Sequence, residues 1–248
     1  MQIASKTDIG KLRESNQDFV KVHIFDDGTA FLLVCDGMGG AAAGNVASEV
    51  AANAIFDYVL KKYTTALNSH ELKTIMTSAI NRANLDVFDL AQSNEQYYGM
   101  GTTVVATIIK DGYAYTVHAG DSRAYVAYSD KIEQITLDHS IVQQLLASGL
   151  ITEDESKTHP KRNVITRALG IQECLELDYN TTKLNKGFSF LLCTDGLTNM
   201  VDDKSICQIL ANEDLSEACD ELIKRANENG GSDNITVALA KQTKEKEE

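Results

Sequence analysis

Residues 188–193 (FSFLLC) form a continuous apolar run that leads directly into Thr194-Asp195-Gly196. A strand with one face in water alternates apolar and polar residues, so a run of this kind implies a strand covered on both faces. The chain must therefore supply a layer on either side of it. Apolar, β-rich stretches occupy residues 3–9, 19–25 and 30–35, the last two joined across Asp26-Asp27-Gly28 in the manner of a hairpin. Residues 102–109, 113–119 and 123–128 read as the consecutive strands of a meander, turning at Asp111-Gly112 and again at 120–122. Two helical patterns lie between these groups. The second places Leu72, Ile75, Met76, Ala79, Ile80, Ala83, Val87 and Leu90 at three- and four-residue spacing, so one of its faces is buried. Helices near 203–210 and 215–227 precede a last strand at 235–240. Strands grouped by hairpins, rather than alternating strictly with helices, favour an α+β layered architecture over a doubly wound parallel sheet.

With 248 residues the chain is long enough for one sizeable core, and a single domain over 1–241 is expected. The charged residues 242–248 cannot bury apolar area and are expected to be a disordered tail. The formal charge of −13 argues against nucleic acid or an anionic membrane as a partner, because both repel an acidic surface. Divalent cations are the opposite case. The segment MQIASKTDIG has no basic stretch followed by an apolar one, and no apolar run approaches the ~20 residues of a membrane helix. A cytoplasmic monomer is expected. The five cysteines, an odd number without the close pairs of a zinc site, fit free buried thiols in a reducing compartment.

Asp-Gly occurs four times, and context separates the four. Asp27-Gly28 and Asp111-Gly112 sit between strand-like runs and read as ordinary hairpin turns. Asp36-Gly37 ends FLLVC and leads into MGGAAAG, while Asp195-Gly196 ends FSFLLCT and leads towards a helix; no return strand follows either. A carboxylate where a buried strand emerges is held rigidly, and the glycine lets a backbone carbonyl turn towards a cation. Asp121 in HAGDSRAY and Asp233 in GGSDNIT share this loop setting. Such an oxygen-rich set, without cysteine or histidine, suits Mg²⁺ or Mn²⁺ rather than zinc.

The chain also carries RESNQD with Arg13 and Asp18, DGMGG at 36–40, GTT at 101–103, GDSRAY from Gly120, TDGLTN from Thr194 and SDNIT from Ser232. In this order the six motifs resemble the series of the bacterial PP2C-type (PPM) metal-dependent Ser/Thr protein phosphatases, and the resemblance covers nearly the whole chain. It implies a four-layer αββα sandwich of two mainly antiparallel sheets flanked by helices. It implies hydrolysis of phosphoserine and phosphothreonine in proteins by in-line attack of a water bridging two Mn²⁺ or Mg²⁺ ions, with room for a third, weaker ion. By the same resemblance Asp36 bridges the two metals and the Gly37 carbonyl serves one of them. Asp195 and Asp233 complete the shell of the other, and Asp18 acts close by through metal-bound waters. Asp121, with Asp195, holds the third ion, and Arg13 grips the substrate phosphate. A guanidinium fork suits phosphate oxygens on chemical grounds as well. The implied partners are phosphorylated proteins, a bacterial Ser/Thr kinase among them. Ala41 is a departure, standing where many bacterial relatives carry histidine, so the general acid is left unassigned.

Residues 138–170 resemble the flap of the bacterial members, with one short helix expected in 141–150. The cluster Lys157, Lys161, Arg162 and Arg167 there could steer a phosphorylated protein. His139 and His159 in this segment read as structural. Two other readings compete. A cysteine phosphatase would need the spacing of Cys219 and Arg225, but the intervening DELIK is acidic and has no glycine. A catalytically attenuated, PP2C-like regulatory binding module would have no need to retain Arg13 and the full aspartate set.

Overall fold

The computed structural model describes residues 1–39, 43–212 and 214–242. The first three strands are β1 (Gln2–Asp8), β2 (Asp18–Ile24) and β3 (Ala30–Met38), followed by the helices α1 (Ala43–Lys62) and α2 (Ser69–Ser93). Next come β4 (Gly101–Thr102), β5 (Val104–Lys110), β6 (Tyr113–Ala119), β7 (Arg123–Ala127) and β8 (Ile132–Gln134). The short helices α3 (Ile141–Ala147) and α4 (Glu153–Thr158) lead to β9 (Asp178–Lys183) and β10 (Ser189–Cys193). A single turn, α5 (Asp195–Thr198), then α6 (Asp203–Leu210), α7 (Leu215–Glu228) and β11 (Ile235–Lys241) complete the elements.

The strands form two antiparallel sheets, β1-β11-β10-β7-β8 and β2-β3-β5-β6-β9, with β4 beside β3. Side-chain alternation along β3 shows how they stack. Phe31, Leu33 and Cys35 pack against α1 and α2, whereas Ala30, Leu32 and Val34 pack into the space between the sheets. On β10, Leu191 and Cys193 face α7 while Phe190 and Leu192 meet β3 and its neighbours. This is why 188–193 shows no polar alternation: both of its faces are core. The layers are helix, sheet, sheet, helix, as the resemblance implied.

Local chemistry supports each layer. On α1, Ala47, Ala51, Ile55 and Val59 recur every four residues and are buried, the two larger side chains contributing about 1.5–3 kcal/mol each. α2 starts at a reciprocal cap between Asn68 and Glu71 and buries the stripe from Leu72 to Val87 expected from its periodicity. The β5–β6 hairpin turns at Asp111-Gly112, both residues at positive φ, and β2–β3 turns at Gly28.

Three expectations need correction. Residues 102–128 are not a meander: β6 pairs with β5 and β9, whereas β7 lies in the other sheet between β10 and β8. The chain changes sheet at 120–122, with Gly120 at φ 112°. The 138–170 segment holds two short helices rather than one, α4 being started by a cap between Thr152 and Glu155. Of the cysteines, Cys174 is exposed. Most of the charged tail, from residue 243 on, lies outside the described residues, and no described helix is long and apolar enough to cross a membrane.

Candidate metal centre

The five candidate ligand aspartates, Asp18, Asp36, Asp121, Asp195 and Asp233, lie at one end of the sandwich. Asp18 opens β2 and is the cross-strand partner of Asp36 on β3. Asp195 follows β10 and Asp233 precedes β11, and because these strands are neighbours the two loops emerge together. Asp121 sits in the crossing between the sheets. Asp36, Asp121, Asp195 and Asp233 line a cleft of about 830 Å³ together with Arg13 and Gly37. Asp18 is 6 % exposed.

Close backbone approach builds this end. A Cβ on Gly37 would lie 2.0 Å from the Gly44 carbonyl oxygen, and one on Gly196 1.9 Å from that of Asn234, so neither position admits a side chain. The threonines of the motifs fasten the loops. Thr103 Oγ1 accepts from the Asp36 amide at 3.0 Å and lies 2.7 Å from Ser122 Oγ, tying β3 to the loop of Asp121. Thr194 Oγ1 donates to Asp18 Oδ2 at 2.9 Å and accepts from the Thr236 amide at 3.0 Å. Asn234 accepts from the Gln17 amide and donates to the carbonyls of Ile9 and Ser15, fixing the loop that carries Arg13. The motifs containing these residues were visible in the sequence, but the roles of Thr103, Thr194 and Asn234 were not.

The electrostatics are those of crowded anions. Burial, opposed by the hydroxyls of Thr236 and Thr194 and reinforced by Asp195 and Asp233, pushes the Asp18 carboxyl up to about 7. Asp36 rises well above the ordinary carboxylate range through burial and then repulsion from Asp18, Asp195, Asp121 and Asp233. Burial and the charge of Asp195 push Asp121 up to about 7, and burial and Asp233 push Asp195 up to about 6. Asp18 Oδ1 and Asp195 Oδ1 are buried without a hydrogen-bond partner, although the second oxygen of each is bonded, that of Asp195 by Asn199 at 3.0 Å. A buried acceptor left unpaired costs about 1–3 kcal/mol. Orphaned carboxylate oxygens in an all-oxygen cluster fit hard divalent cations and their waters.

Arg13 reaches the same cleft, but its Nη2 donates to Asp233 Oδ2 at 2.7 Å. In this state it pairs with an expected metal ligand. Ala41 lies outside the described residues. The basic cluster expected to steer substrate is split, for Arg167 turns inward to Asp178 and Glu176, each at 2.8 Å, and Lys157 pairs with Asp154.

His118, His139 and Asp178 also bring potential ligand atoms within 4.8 Å of one another. The two imidazoles are stacked with centroids 4.7 Å apart and planes 9° from parallel. Their in-plane lone pairs therefore cannot converge on one ion, and the Arg167 guanidinium occupies the position next to them. This group is a hydrogen-bonded cluster rather than a second metal site.

A family model described as protein phosphatase 2C matches residues 11–240. The chain belongs to the protein phosphatase 2C family. It is therefore a metal-dependent protein phosphatase. Its curated relatives include the serine/threonine phosphatase stp of Listeria innocua, 38% identical over 243 residues that cover 98% of this chain and 96% of the relative. Protein phosphatase PhpP of Streptococcus pneumoniae is 36% identical over 247 residues, 99% of each chain. Among solved structures, the serine/threonine phosphatase of S. agalactiae superposes with a TM-score of 0.90 at 36% identity, covering 98% of this chain and 99% of that one. The catalytic domain of the serine threonine protein phosphatase PstP, solved in complex with 2 manganese ions, gives 0.84 at 31% identity, covering 96% of each.

Proposed function

We propose that this phosphatase hydrolyses phosphoserine and phosphothreonine in proteins at the carboxylate cluster of the cleft, with Asp36, Asp195 and Asp233 as the main metal ligands. The observation that carries this reading is the pair of buried, unpartnered oxygens on Asp18 and Asp195 within a set of mutually repelling aspartates. Two Mn²⁺ or Mg²⁺ ions are the proposed cofactors, with a third, weaker one at Asp121 and Asp195. Divalent ions held there lower the pKa of water, so that hydroxide is available at neutral pH, and offset the charge of the phosphate.

The chain's own residues supply the rest. Asp36 stands centrally, facing all four other carboxylates, and the glycine at 37 leaves its carbonyl beside it. Asp18, buried with one free oxygen, orients a water by accepting from it. Arg13 on its exposed loop swings from Asp233 to the phosphate oxygens, where a guanidinium donates in bidentate fashion. Asn163 and Ile165 bring the 138–170 segment to the cleft wall, and this segment is proposed as the flap that selects among phosphoproteins. The proposed setting is a cytoplasmic monomer over 1–241 that opposes a Ser/Thr kinase and binds neither nucleic acid nor membrane.

The test is phosphate release from a phosphothreonine peptide by chelated and by Mn²⁺-replenished protein, wild type and Asp36→Ala. Turnover restored by Mn²⁺ in wild type alone is expected. Equal turnover by Asp36→Ala would remove Asp36 from the centre, and no Mn²⁺-restored turnover in either would favour a regulatory binding module.

A further inference from the structure

The tip of the loop joining β1 to β2 is fixed at both shoulders. The Gly10 amide donates to Asp8 Oδ1 at 2.8 Å, and the Lys11 amide donates to the Gly231 carbonyl at 2.7 Å. On the far side Asn234 Nδ2 donates to the Ser15 carbonyl at 3.0 Å, and Asn234 Oδ1 accepts from the Gln17 amide at 2.8 Å. Gly231 and Asn234 bracket Asp233, so the tip is bolted to the loop of a proposed metal ligand. Gly10, at φ 76°, would place a Cβ 2.2 Å from the Asp233 carbonyl oxygen; any side chain there would push the two loops apart. Leu12, Arg13 and Glu14 span the gap between the shoulders, and all three line the cleft.

An exposed leucine is ordinary on a protein surface. Leu12 differs in its place. It is 71 % exposed and belongs to none of the apolar clusters that build the core, and the anchored shoulders hold it away from them. It directly precedes Arg13. Among the other side chains that line the cleft only Met38 and Ile165 are apolar. Leu12 is therefore an isobutyl group held in water at the rim of a polar cleft, beside the guanidinium that takes the phosphate.

A phosphate gripped by Arg13 brings the rest of its peptide along this rim. Neighbouring Cα atoms stand ~3.8 Å apart, and an extended peptide advances ~3.3 Å per residue. The side chain next to Arg13 thus meets a residue close in sequence to the phosphorylated one. An aliphatic residue at that point takes its own surface and that of Leu12 out of water together, a gain that grows with the apolar area covered. A serine there covers little apolar area, and an aspartate or glutamate also meets the exposed Glu14 carboxylate.

We propose that Leu12 is a specificity-determining residue: it contacts the substrate chain within two residues of the phosphothreonine or phosphoserine and favours an aliphatic side chain there. This rests on the reading of Arg13 as the phosphate-gripping residue. A contact with a part of the substrate that does not react is made alike before and during the chemical step, so it is read in KM rather than in kcat. An enclosed apolar pocket discriminates one methylene by about 10–200-fold; a rim open on one side belongs at about tenfold for a whole side chain.

The experiment measures kcat and KM of the Mn²⁺-loaded full chain on phosphothreonine peptides in an alanine background. Leucine or serine stands at one position at a time, over the two residues before and the two after the phosphothreonine. For at least one position the leucine peptide should have a KM about tenfold below that of its serine counterpart. Leu12→Ser should bring that ratio close to one, by loss on the leucine peptide rather than gain on the serine peptide. Leu12→Met, which keeps an apolar contact, should retain most of the preference. Arg13→Ala should raise KM for all the peptides alike. A wild type without preference at any position, or a preference that survives Leu12→Ser, overturns the proposal. So does an equal loss by Leu12→Ser on both peptides and on p-nitrophenyl phosphate, which would make Leu12 a support for Arg13 rather than a contact for the peptide. Peptide KM values unchanged by Arg13→Ala overturn the reading of Arg13 instead, and the inference falls with it.

Discussion

Replacing Asp18 by asparagine should stabilise the metal-free protein. Asp18 is 6 % exposed, and its carboxyl titrates at about 7, burial being the main cause, against an ordinary value of 3.8. Between those pH values the native state keeps a proton that the unfolded chain has released, so the metal-free protein loses stability as pH rises through that window. At about 1.36 kcal/mol per pH unit the interval amounts to about 4 kcal/mol above pH 7. Asparagine carries no charge, still accepts from Thr194, and turns its amide towards the neighbouring carboxylates. Melting in EDTA should therefore show wild type and Asp18→Asn alike near pH 4 and diverging to about 4 kcal/mol by pH 8. For a domain of this size that is roughly 8–16 °C. With saturating Mn²⁺ the order should reverse, since ions that bind only the native state stabilise it and Asp18→Asn holds them less well. A variant that melts at or below wild type in EDTA at pH 8 would refute the picture of a repelled, buried anion.

Arg13→Ala should raise KM for a phosphopeptide while changing stability by less than about 1 kcal/mol, because its pair with Asp233 is half exposed; steady-state kinetics and melting check the two halves. Charge reversal at the exposed Lys161 and Arg162 should reduce activity on phosphoproteins far more than on p-nitrophenyl phosphate. Equal loss on both substrates would mean that the segment supports the cleft rather than selecting what enters it.

How much could be read in the sequence depended on whether a signal was local. The run 188–193 and the α2 stripe were legible because cover on two faces, or on one helical face, leaves a direct imprint on residue order. Asp36 and Asp195 stood out because Asp-Gly after a buried strand with no return strand is rarely a hairpin, whereas Asp121 and Asp233, followed by Ser122 and Asn234, stood out by their loop setting and motifs. β9 was missed because it reads DYNTTK, mostly polar residues on an edge of its sheet. The change of sheet at 120–122 was missed because a tight turn between two strands looks the same whether they pair or part. The cluster of His118, His139, Arg167 and Asp178 draws on β6, both feet of the 138–170 segment and β9, so no local pattern announces it. Arg13 was found by its motif, yet its pairing with Asp233 spans 220 positions and appears only in the fold.

The proposed metal centre is the aspartate cluster and not the histidine cluster beside it. An anomalous difference map at the manganese edge, from crystals grown with Mn²⁺, tests this directly. Two strong peaks ~3.5–4 Å apart are predicted, both touching Asp36, one also near the Gly37 carbonyl and the other near Asp195 and Asp233. A strong peak between His118, His139 and Asp178, or none in contact with Asp36, would contradict it.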